Sequence, residues 1–207
     1  MVNQEQVLEI LHAVGEKITE EKLFLTELDN VIGDGDHGIN LARGFAEVEK
    51  KRPTMEGKDI GTMLKTTGMA LVSTVGGASG PLYGTAFMQA GKALAGKTEL
   101  DAQDLVTILD AFVAGVQLRG KSVAGEKTML DAMIPARDAV KAALNAGKSA
   151  KEALSDGVAA AEQGVEYTKT IIATKGRASY LGERSLGHQD PGATSFTTML
   201  RVVAEHV

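Results

Sequence analysis

Three aspartates, Asp29, Asp34 and Asp36, lie within eight residues of one another and are separated by glycines. Glycine lets the backbone turn sharply, so the three carboxylates can converge on one point. Converging carboxylates repel unless a cation lies between them, and oxygen ligands in a chain without cysteine favour Mg²⁺, Mn²⁺ or Ca²⁺ over zinc. A calcium EF-hand does not fit, because its twelfth position is Asn40 or Phe45 instead of glutamate. The spacing therefore predicts a site for a hard divalent cation.

The residues just after the aspartates could hold the anionic partner of that cation. Mg²⁺ keeps part of its coordination shell for water and substrate phosphates. A helix that begins near His37 would present free N–H groups and the positive end of its dipole to a phosphate. His37 could contact this phosphate or accept a phosphoryl group itself. The alternative is a turn in which one aspartate caps the helix, but that role needs one carboxylate and not three.

Two further loops, at 76–85 and 174–193, combine glycine with small or charged residues. In the first loop, Ser79 can donate a hydrogen bond to a phosphate, although small residues here are also typical of tightly packed helices. In the second loop, Arg177 and Arg184 carry the forked donors that bind phosphate and stabilise charge during phosphoryl transfer. A solvated surface loop is the alternative for this segment. The occurrence of acidic, small-residue and basic loops in one chain favours a nucleotide site.

Two segments match the Walker A pattern, Gly91–Thr98 and Gly115–Ser122. A true P-loop must follow a strand and open a helix, so that its amides surround the phosphates. Both matches instead follow helical patterns, and no alternating series of strands and helices is present. We interpret both as chance matches, and we keep Gly120 as a candidate ligand contact.

Helices have to position these loops, because apolar residues recur at helical spacing through most of the chain. Leu71–Val75 has enough β-branched residues for a strand but lies within a longer helical pattern, and Pro135 predicts a kink or a helix start. Aromatic residues are few, which favours closely approaching helices. We predict an all-α bundle that forms a single domain over residues 1–207. The predicted helices span 3–20, 37–52, 58–76, 79–96, 101–119, 127–146, 149–172 and 193–206.

Composition narrows the functional classes. The chain has 207 residues, a formal net charge of −5 and no cysteine, which excludes disulfides, thiolate metal sites and a cysteine nucleophile. The acidic balance argues against a broad face for nucleic acid. The N-terminal sequence lacks the features of a signal peptide, and no apolar run approaches the roughly 18 residues of a membrane helix. We therefore expect a cytoplasmic protein with no nucleic-acid or membrane partner.

Three segments resemble the signatures of the nucleotide-binding domain of dihydroxyacetone kinases. They are DNVIGDGDHGINLARGF, GGASGPLYGT and GRASYLGERSLGHQDPGA, in this order along the chain. The resemblance implies an antiparallel eight-helix barrel with the nucleotide at one end. It also implies similarity to the L subunit of the phosphotransferase-system type. In that type, bound ADP is phosphorylated by a phosphohistidine subunit, and the phosphoryl group then passes to dihydroxyacetone on a K subunit.

The resemblance also implies residue roles. Asp29, Asp34 and Asp36 would bind two Mg²⁺ ions that bridge the phosphates of ADP or ATP. His37 and Arg177 would take part in the transfer. Cofactor contacts are implied for a larger set of loop residues: His37, Gly38, Ile39, Asn40, Ala78, Ser79, Gly120, Met129, Arg177, Asp190, Pro191 and Gly192.

Other functions fit the same pattern. A subunit that exchanges free ATP, as kinases with a fused substrate domain do, would not retain its nucleotide. A non-catalytic sensor would bind nucleotide and report it to a transcriptional regulator, which is therefore a third candidate partner beside the K and phosphohistidine subunits. A bare metal-binding module is disfavoured by the loop around Arg177.

Overall fold

Helices make up most of the chain in the computed structural model, which describes residues 1–207. Two short strands, β1 (Val2–Asn3) and β2 (Glu99–Leu100), pair in antiparallel register, and a 3₁₀ segment covers Arg177–Ser185. No helix is both long enough and apolar enough to cross a membrane. The α-helices are α1 (Gln4–Glu20), α2 (Lys22–Ile32), α3 (His37–Met55), α4 (Ile60–Thr74), α5 (Ser79–Ala93), α6 (Ala102–Gly120), α7 (Leu130–Asn145), α8 (Ala150–Thr170) and α9 (Pro191–His206).

Eight of these helices close into a ring. From α3 to α9, each helix packs against the next one along the chain, and α1 closes the ring by packing against both α9 and α3. Helix α2 lies outside the ring, against α3, α9 and the 3₁₀ segment. Connections of four to nine residues join α3 through α8, so neighbouring helices run in opposite directions. The predicted all-α, eight-helix barrel is confirmed.

One apolar cluster of 45 buried residues fills the ring. The helices approach closely where glycines face each other. A Cβ atom on Gly68 of α4 would lie 2.6 Å from the Gly84 carbonyl oxygen of α5, and one on Gly84 would lie 2.7 Å from that of Gly68. Any side chain here would push the two helices apart. The close helix packing expected from the composition is therefore present.

The sequence pattern missed α2 entirely. Only Glu21 separates this helix from the end of α1, and its side chain makes no capping bond. No cap, glycine or proline therefore marks the boundary. Two details that the sequence left open are settled by the structure. Helix α7 runs from Leu130 through Pro135 without a break, so this proline is not a helix start. The segment from Leu71 is helical, as the longer helical pattern predicted, because α4 continues to Thr74.

Candidate functional site

A cavity of about 460 Å³ opens at one end of the barrel. Four connections supply its walls: α2–α3, α4–α5, α6–α7 and the long segment between α8 and α9. These connections share one end because the helices alternate in direction. The strands β1 and β2 precede α1 and α6, at the other ends of the helices. The three loops singled out from the sequence therefore meet around one cavity.

The three aspartates converge as expected. Each of Asp29, Asp34 and Asp36 offers one carboxylate oxygen, and these oxygens lie within 4.8 Å of one another. Glycine is required between them, because a Cβ atom at Gly33 would lie 1.9 Å from Asp29 Oδ1 and Gly35 has a φ of +73°. Clustered carboxylate oxygens with no nitrogen or sulfur ligand fit a hard cation such as Mg²⁺.

Asp29 combines the metal-ligand geometry with a capping role. It lies in the last turn of α2, and its Oδ2 accepts hydrogen bonds from the backbone N–H groups of Asp36 (2.9 Å) and His37 (3.1 Å). These N–H groups open α3, where a carboxylate is favourable. One aspartate thus caps the helix from a distance, and two carboxylates remain beside it in the cluster.

Arg177 provides positive charge next to this cluster. Its Nε lies 2.8 Å from Asp34 Oδ2, and the two side chains are 62% and 35% exposed. An ion pair this exposed is weak, because water screens it. A cation that bound Asp34 would compete with the guanidinium for the same carboxylate.

His37 lines the cavity as a buried, neutral ring. Burial lowers its pKa to about 4, although the nearby Asp29 carboxylate acts in the opposite direction. The ring is therefore uncharged near neutral pH and does not attract a phosphate by charge. Its Nε2 lies 2.9 Å from Ser195 Oγ in α9.

The loop between α4 and α5 lies against the aspartates. A Cβ atom at Gly77, whose φ is +67°, would lie 3.7 Å from Asp36 Oδ1. Ala78 and Ser79 follow, and both line the cavity. A Cβ atom at Gly80 would lie 2.2 Å from the Val75 carbonyl oxygen. This corner is therefore both a tight helix contact and part of the cavity wall.

The opposite wall is the start of α9. Asp190 caps this helix, because its Oδ2 accepts a 2.7 Å hydrogen bond from the Ala193 N–H, and Pro191 and Gly192 form the first turn. The helix begins two residues earlier than the sequence pattern predicted. Burial raises the pKa of Asp190 to about 7, the Ala193 N–H opposes this shift, and Asp131 adds to it.

Lys127 lines the cavity and was not predicted as a site residue, because the sequence pattern placed it at the first position of a helix. The side chain is only 1% exposed and its backbone is left-handed, with a φ of 61°. Its Nζ donates to the carbonyl oxygens of Thr168 and His188, both at 2.5 Å, and lies 3.5 Å from that of Ile171. Burial lowers the pKa of Lys127, and the Asp190 carboxylate opposes this shift. The ammonium group joins the α6–α7 connection to the end of α8 and the segment before α9.

Asp131 also stabilises the α6–α7 connection, through hydrogen bonds to its backbone. It is 3% exposed, and its carboxylate accepts hydrogen bonds from the N–H groups of Gly125 and Thr128. A sequence signal was available, because Thr128 and Asp131 have the spacing of a capping box and so predict a helix start after residue 128. Three more polar residues that were not singled out line the cavity: Arg119, Ser122 and Lys175.

Three predicted cofactor contacts do not line the cavity. Gly38 is needed for helix packing, because a Cβ atom there would lie 2.0 Å from the Lys22 carbonyl oxygen. Ile39 is half-exposed, and its N–H donates to Thr26 Oγ1. Asn40 is buried against Arg43, whose guanidinium donates to its Oδ1. All three lie at the start of α3, directly after the aspartate loop.

Every other predicted contact lies in the cavity wall, including Gly120 and Met129. Arg184 and His188 are exposed and lie outside it. Gly91–Thr98 lies at the end of α5, and Gly115–Ser122 lies at the end of α6. Neither segment opens a helix after a strand, so neither is a P-loop.

Comparisons with known proteins agree with this fold and site. A family model described as the DAK2 domain matches residues 31–205. The PEP-dependent dihydroxyacetone kinase 1, ADP-binding subunit DhaL, of Listeria innocua serovar 6a is 45% identical, over 98% of this chain and 96% of its own length. The corresponding Escherichia coli K12 subunit is 43% identical, over 98% of this chain and 97% of its own length.

A solved structure has the same fold. The dihydroxyacetone kinase of C. freundii, crystallised with AMP-PNP and Mg²⁺, superposes with a TM-score of 0.72 and 26% identity over 96% of this chain. This chain spans only 33% of the length of that kinase. An all-helical barrel with a carboxylate-lined cavity at one end defines the class, and the chain belongs to the DAK2 domain family. Within it, the chain is similar over 98% of its length to proteins named as ADP-binding subunits of dihydroxyacetone kinases.

Proposed function

We propose that this protein is the nucleotide-carrying subunit of a phosphoenolpyruvate-dependent dihydroxyacetone kinase. ADP and Mg²⁺ occupy the cavity at the end of the barrel, and a phosphohistidine partner phosphorylates the bound ADP. The phosphoryl group then passes to dihydroxyacetone on a K subunit. The observation that carries this proposal is the combination of full-length similarity to ADP-binding subunits with three convergent carboxylates in one cavity.

The cavity suits a nucleotide diphosphate in size and charge. Its volume of about 460 Å³ lies within the range of roughly 300–1,000 Å³ for small-molecule sites. The three aspartates would repel a diphosphate, and Mg²⁺ bound between them supplies the charge neutralisation that phosphoryl transfer requires. Asp29, Asp34 and Asp36 are the proposed ligands, and two ions are expected from the resemblance to dihydroxyacetone kinases.

The remaining residues position the nucleotide and protect it. Arg177 leaves Asp34 and donates to phosphate oxygens, where its forked donors match their geometry. Ser79 and the small residues beside it allow the backbone to come close to the ligand. Asp190, Pro191 and Gly192 form the opposite wall, which Lys127 holds in place.

The experiment is a transfer assay from phosphoenolpyruvate to dihydroxyacetone, with purified K and phosphohistidine subunits and no free nucleotide. We expect transfer by the wild type after loading with Mg·ADP and gel filtration. Asp34→Asn should abolish nucleotide retention and therefore transfer, whereas Asp110→Asn on the exterior of α6 should retain both. A nucleotide-loaded wild type that supports no transfer, or an Asp34→Asn variant that keeps its ADP, would contradict the proposal.

A second candidate is a subunit that exchanges free ATP. The similarity to the C. freundii kinase, crystallised with AMP-PNP and Mg²⁺, favours it. Isotopically labelled ADP discriminates between the two candidates. An exchanging subunit should lose the label within seconds when unlabelled ATP is added, whereas a carrier of bound ADP should keep it through gel filtration.

A further inference from the structure

His37 is connected to the interior of the barrel by a short chain of hydrogen-bonding groups. Its Nε2 lies 2.9 Å from Ser195 Oγ, which in turn lies 2.7 Å from the hydroxyl of Tyr83. Both hydroxyls also reach the carbonyl oxygen of Gly192, at 3.1 Å from Ser195 and 3.2 Å from Tyr83. Ser195 and Tyr83 are both fully buried, so water does not add partners to this chain.

The two neutral tautomers of His37 place different numbers of protons in these four contacts. When Nε2 carries the proton, the ring donates to Ser195, and the two hydroxyls donate to each other and to Gly192 in either order. Three of the four contacts then contain a proton, and every donor in the chain has an acceptor.

The other tautomer satisfies fewer contacts. When Nδ1 carries the proton, Ser195 must donate to Nε2, because a buried acceptor without a donor is costly. Tyr83 is then the only donor left for the remaining contacts. If it donates to Ser195, both contacts to Gly192 lack a proton. If it donates to Gly192, two hydroxyl oxygens lie 2.7 Å apart with no proton between them.

We infer that Ser195, which can donate its own proton to the Gly192 carbonyl, holds His37 as the Nε2–H tautomer, so that Nδ1 presents a lone pair to the cavity and accepts a hydrogen bond from an O–H group of the bound ligand. Every fully enclosed side-chain nitrogen or oxygen in the protein has a partner. Nδ1 of His37 has none, so it is reached from the cavity that this residue lines. Ser195 is a positioning residue, since it acts only through His37.

The lone pair selects the chemistry of the group that His37 contacts. Phosphate oxygens without a proton are acceptors, so they repel Nδ1 and are left to Arg177 and the cations. The matching group is a hydroxyl donor, either a water in the Mg²⁺ shell or a sugar hydroxyl of the nucleotide. This contact rests on the proposed function, but the tautomer does not, because it is set by the protein alone.

Nitrogen-15 NMR of the full chain, labelled at histidine and free of nucleotide and Mg²⁺, tests the tautomer near neutral pH. The chain has four histidines, and the signals lost in His37→Gln assign the ring. We expect a protonated Nε2 and an unprotonated Nδ1. In Ser195→Ala, which removes the partner of Nε2, both tautomers should become populated. In Tyr83→Phe, Ser195 still accepts from Nε2–H and donates to Gly192, so Nε2–H should remain dominant, and Ser155→Ala on the exterior of α8 should leave the spectrum unchanged. A dominant Nδ1–H signal in the wild type, or an unchanged spectrum in Ser195→Ala, overturns the inference.

Two substitutions of His37 test the contact to the ligand. Asparagine places an amide near the position of Nδ1 and so keeps an acceptor there, whereas glutamine places its amide near the position of Nε2. By calorimetry, we expect His37→Asn to bind Mg·ADP within about threefold of wild type and His37→Gln roughly tenfold more weakly, the value of one hydrogen bond. Equal losses in the two variants would contradict the acceptor role.

Deoxynucleotides identify the source of the hydroxyl. Suppose that 2′-deoxy- or 3′-deoxy-ADP binds the wild type about tenfold more weakly than ADP does, but binds His37→Gln as tightly as ADP does. The donor is then the sugar hydroxyl that this analogue lacks. If neither analogue differs from ADP, the donor is metal-bound water. A wild type that binds no nucleotide would contradict the proposed function. The tautomer would still be tested independently, because the NMR measurement is made without ligand.

Discussion

Replacement of Lys127 by methionine should destabilise the protein and weaken nucleotide binding together. Methionine keeps most of the side-chain volume but removes the ammonium group, which is only 1% exposed. The carbonyl oxygens of Thr168 and His188, each 2.5 Å from Nζ, would then lose their donor. The His188 carbonyl belongs to the segment between α8 and α9, which borders the cavity, and the Thr168 carbonyl belongs to the last turn of α8.

The magnitude follows from those two contacts. A carbonyl left without a donor costs about 1–3 kcal/mol when buried. Thr168 is fully buried, whereas His188 is exposed, so the Thr168 bond contributes most of the loss. Relief from burying a charge offsets part of it. We expect the free energy of unfolding of Lys127→Met to fall by about 2–4 kcal/mol, which lowers the Tm by roughly 5–15 °C for a chain of this size.

Urea denaturation and calorimetry with Mg·ADP measure the two effects. The matched control is Lys141→Met on the exposed face of α7, which should remain within about 0.5 kcal/mol of wild type. We expect Lys127→Met to bind Mg·ADP at least tenfold more weakly even at temperatures where it is fully folded. Stability within 1 kcal/mol of wild type would refute the reasoning, because it would mean that the ammonium group does not hold these carbonyls.

Three further predictions concern the cavity and the helix packing. Arg177→Gln should weaken Mg·ADP binding at least tenfold and leave the affinity for Mg²⁺ alone unchanged or higher, whereas Arg184→Gln should change neither affinity. Parallel losses of both affinities of Arg177→Gln in calorimetry would contradict a phosphate contact by Arg177. The pKa of Asp190 is raised to about 7, so the wild type without Mg²⁺ should lose up to about 4 kcal/mol of stability as the pH rises from about 4 to 7. Asp190→Asn keeps a capping side chain but should lack this loss. Superimposable pH profiles of the two proteins would contradict the raised pKa. Gly84→Ala would place a Cβ atom 2.3 Å from a valine of α4 and should cost at least about 2 kcal/mol; Gly15→Ala, whose nearest atom is 3.4 Å away, should be tolerated in the same denaturation assay.

The ring of helices was predictable, because short segments of the sequence determine its apolar faces and helix caps. Asn3, Asp101 and Ser149 each form the capping box that their spacing allows. Helix α2 was not predictable in the same way. It follows α1 after a single residue, without a capping side chain, and its stability comes from contacts with α3 and α9 that no local pattern shows.

The aspartate loop was predictable because its chemistry is confined to a few residues. Glycine at 33 and 35 and carboxylates at 29, 34 and 36 can be evaluated without knowledge of the fold. Lys127 was not recognisable, because its carbonyl partners lie 41 and 61 residues away. The contacts of Ser195 with His37 and with Tyr83 also depend on the closure of the barrel. Such long-range polar contacts require the structure.

The most direct test of the central claim is the content of the purified protein. One sample is denatured as purified and another after treatment with EDTA and gel filtration, and the released small molecules are separated by chromatography. We predict close to one ADP per chain in the first sample and its loss from the second, because the nucleotide is held through Mg²⁺ bound by Asp29, Asp34 and Asp36. A protein that carries no nucleotide and binds none when Mg·ADP is added would contradict the account.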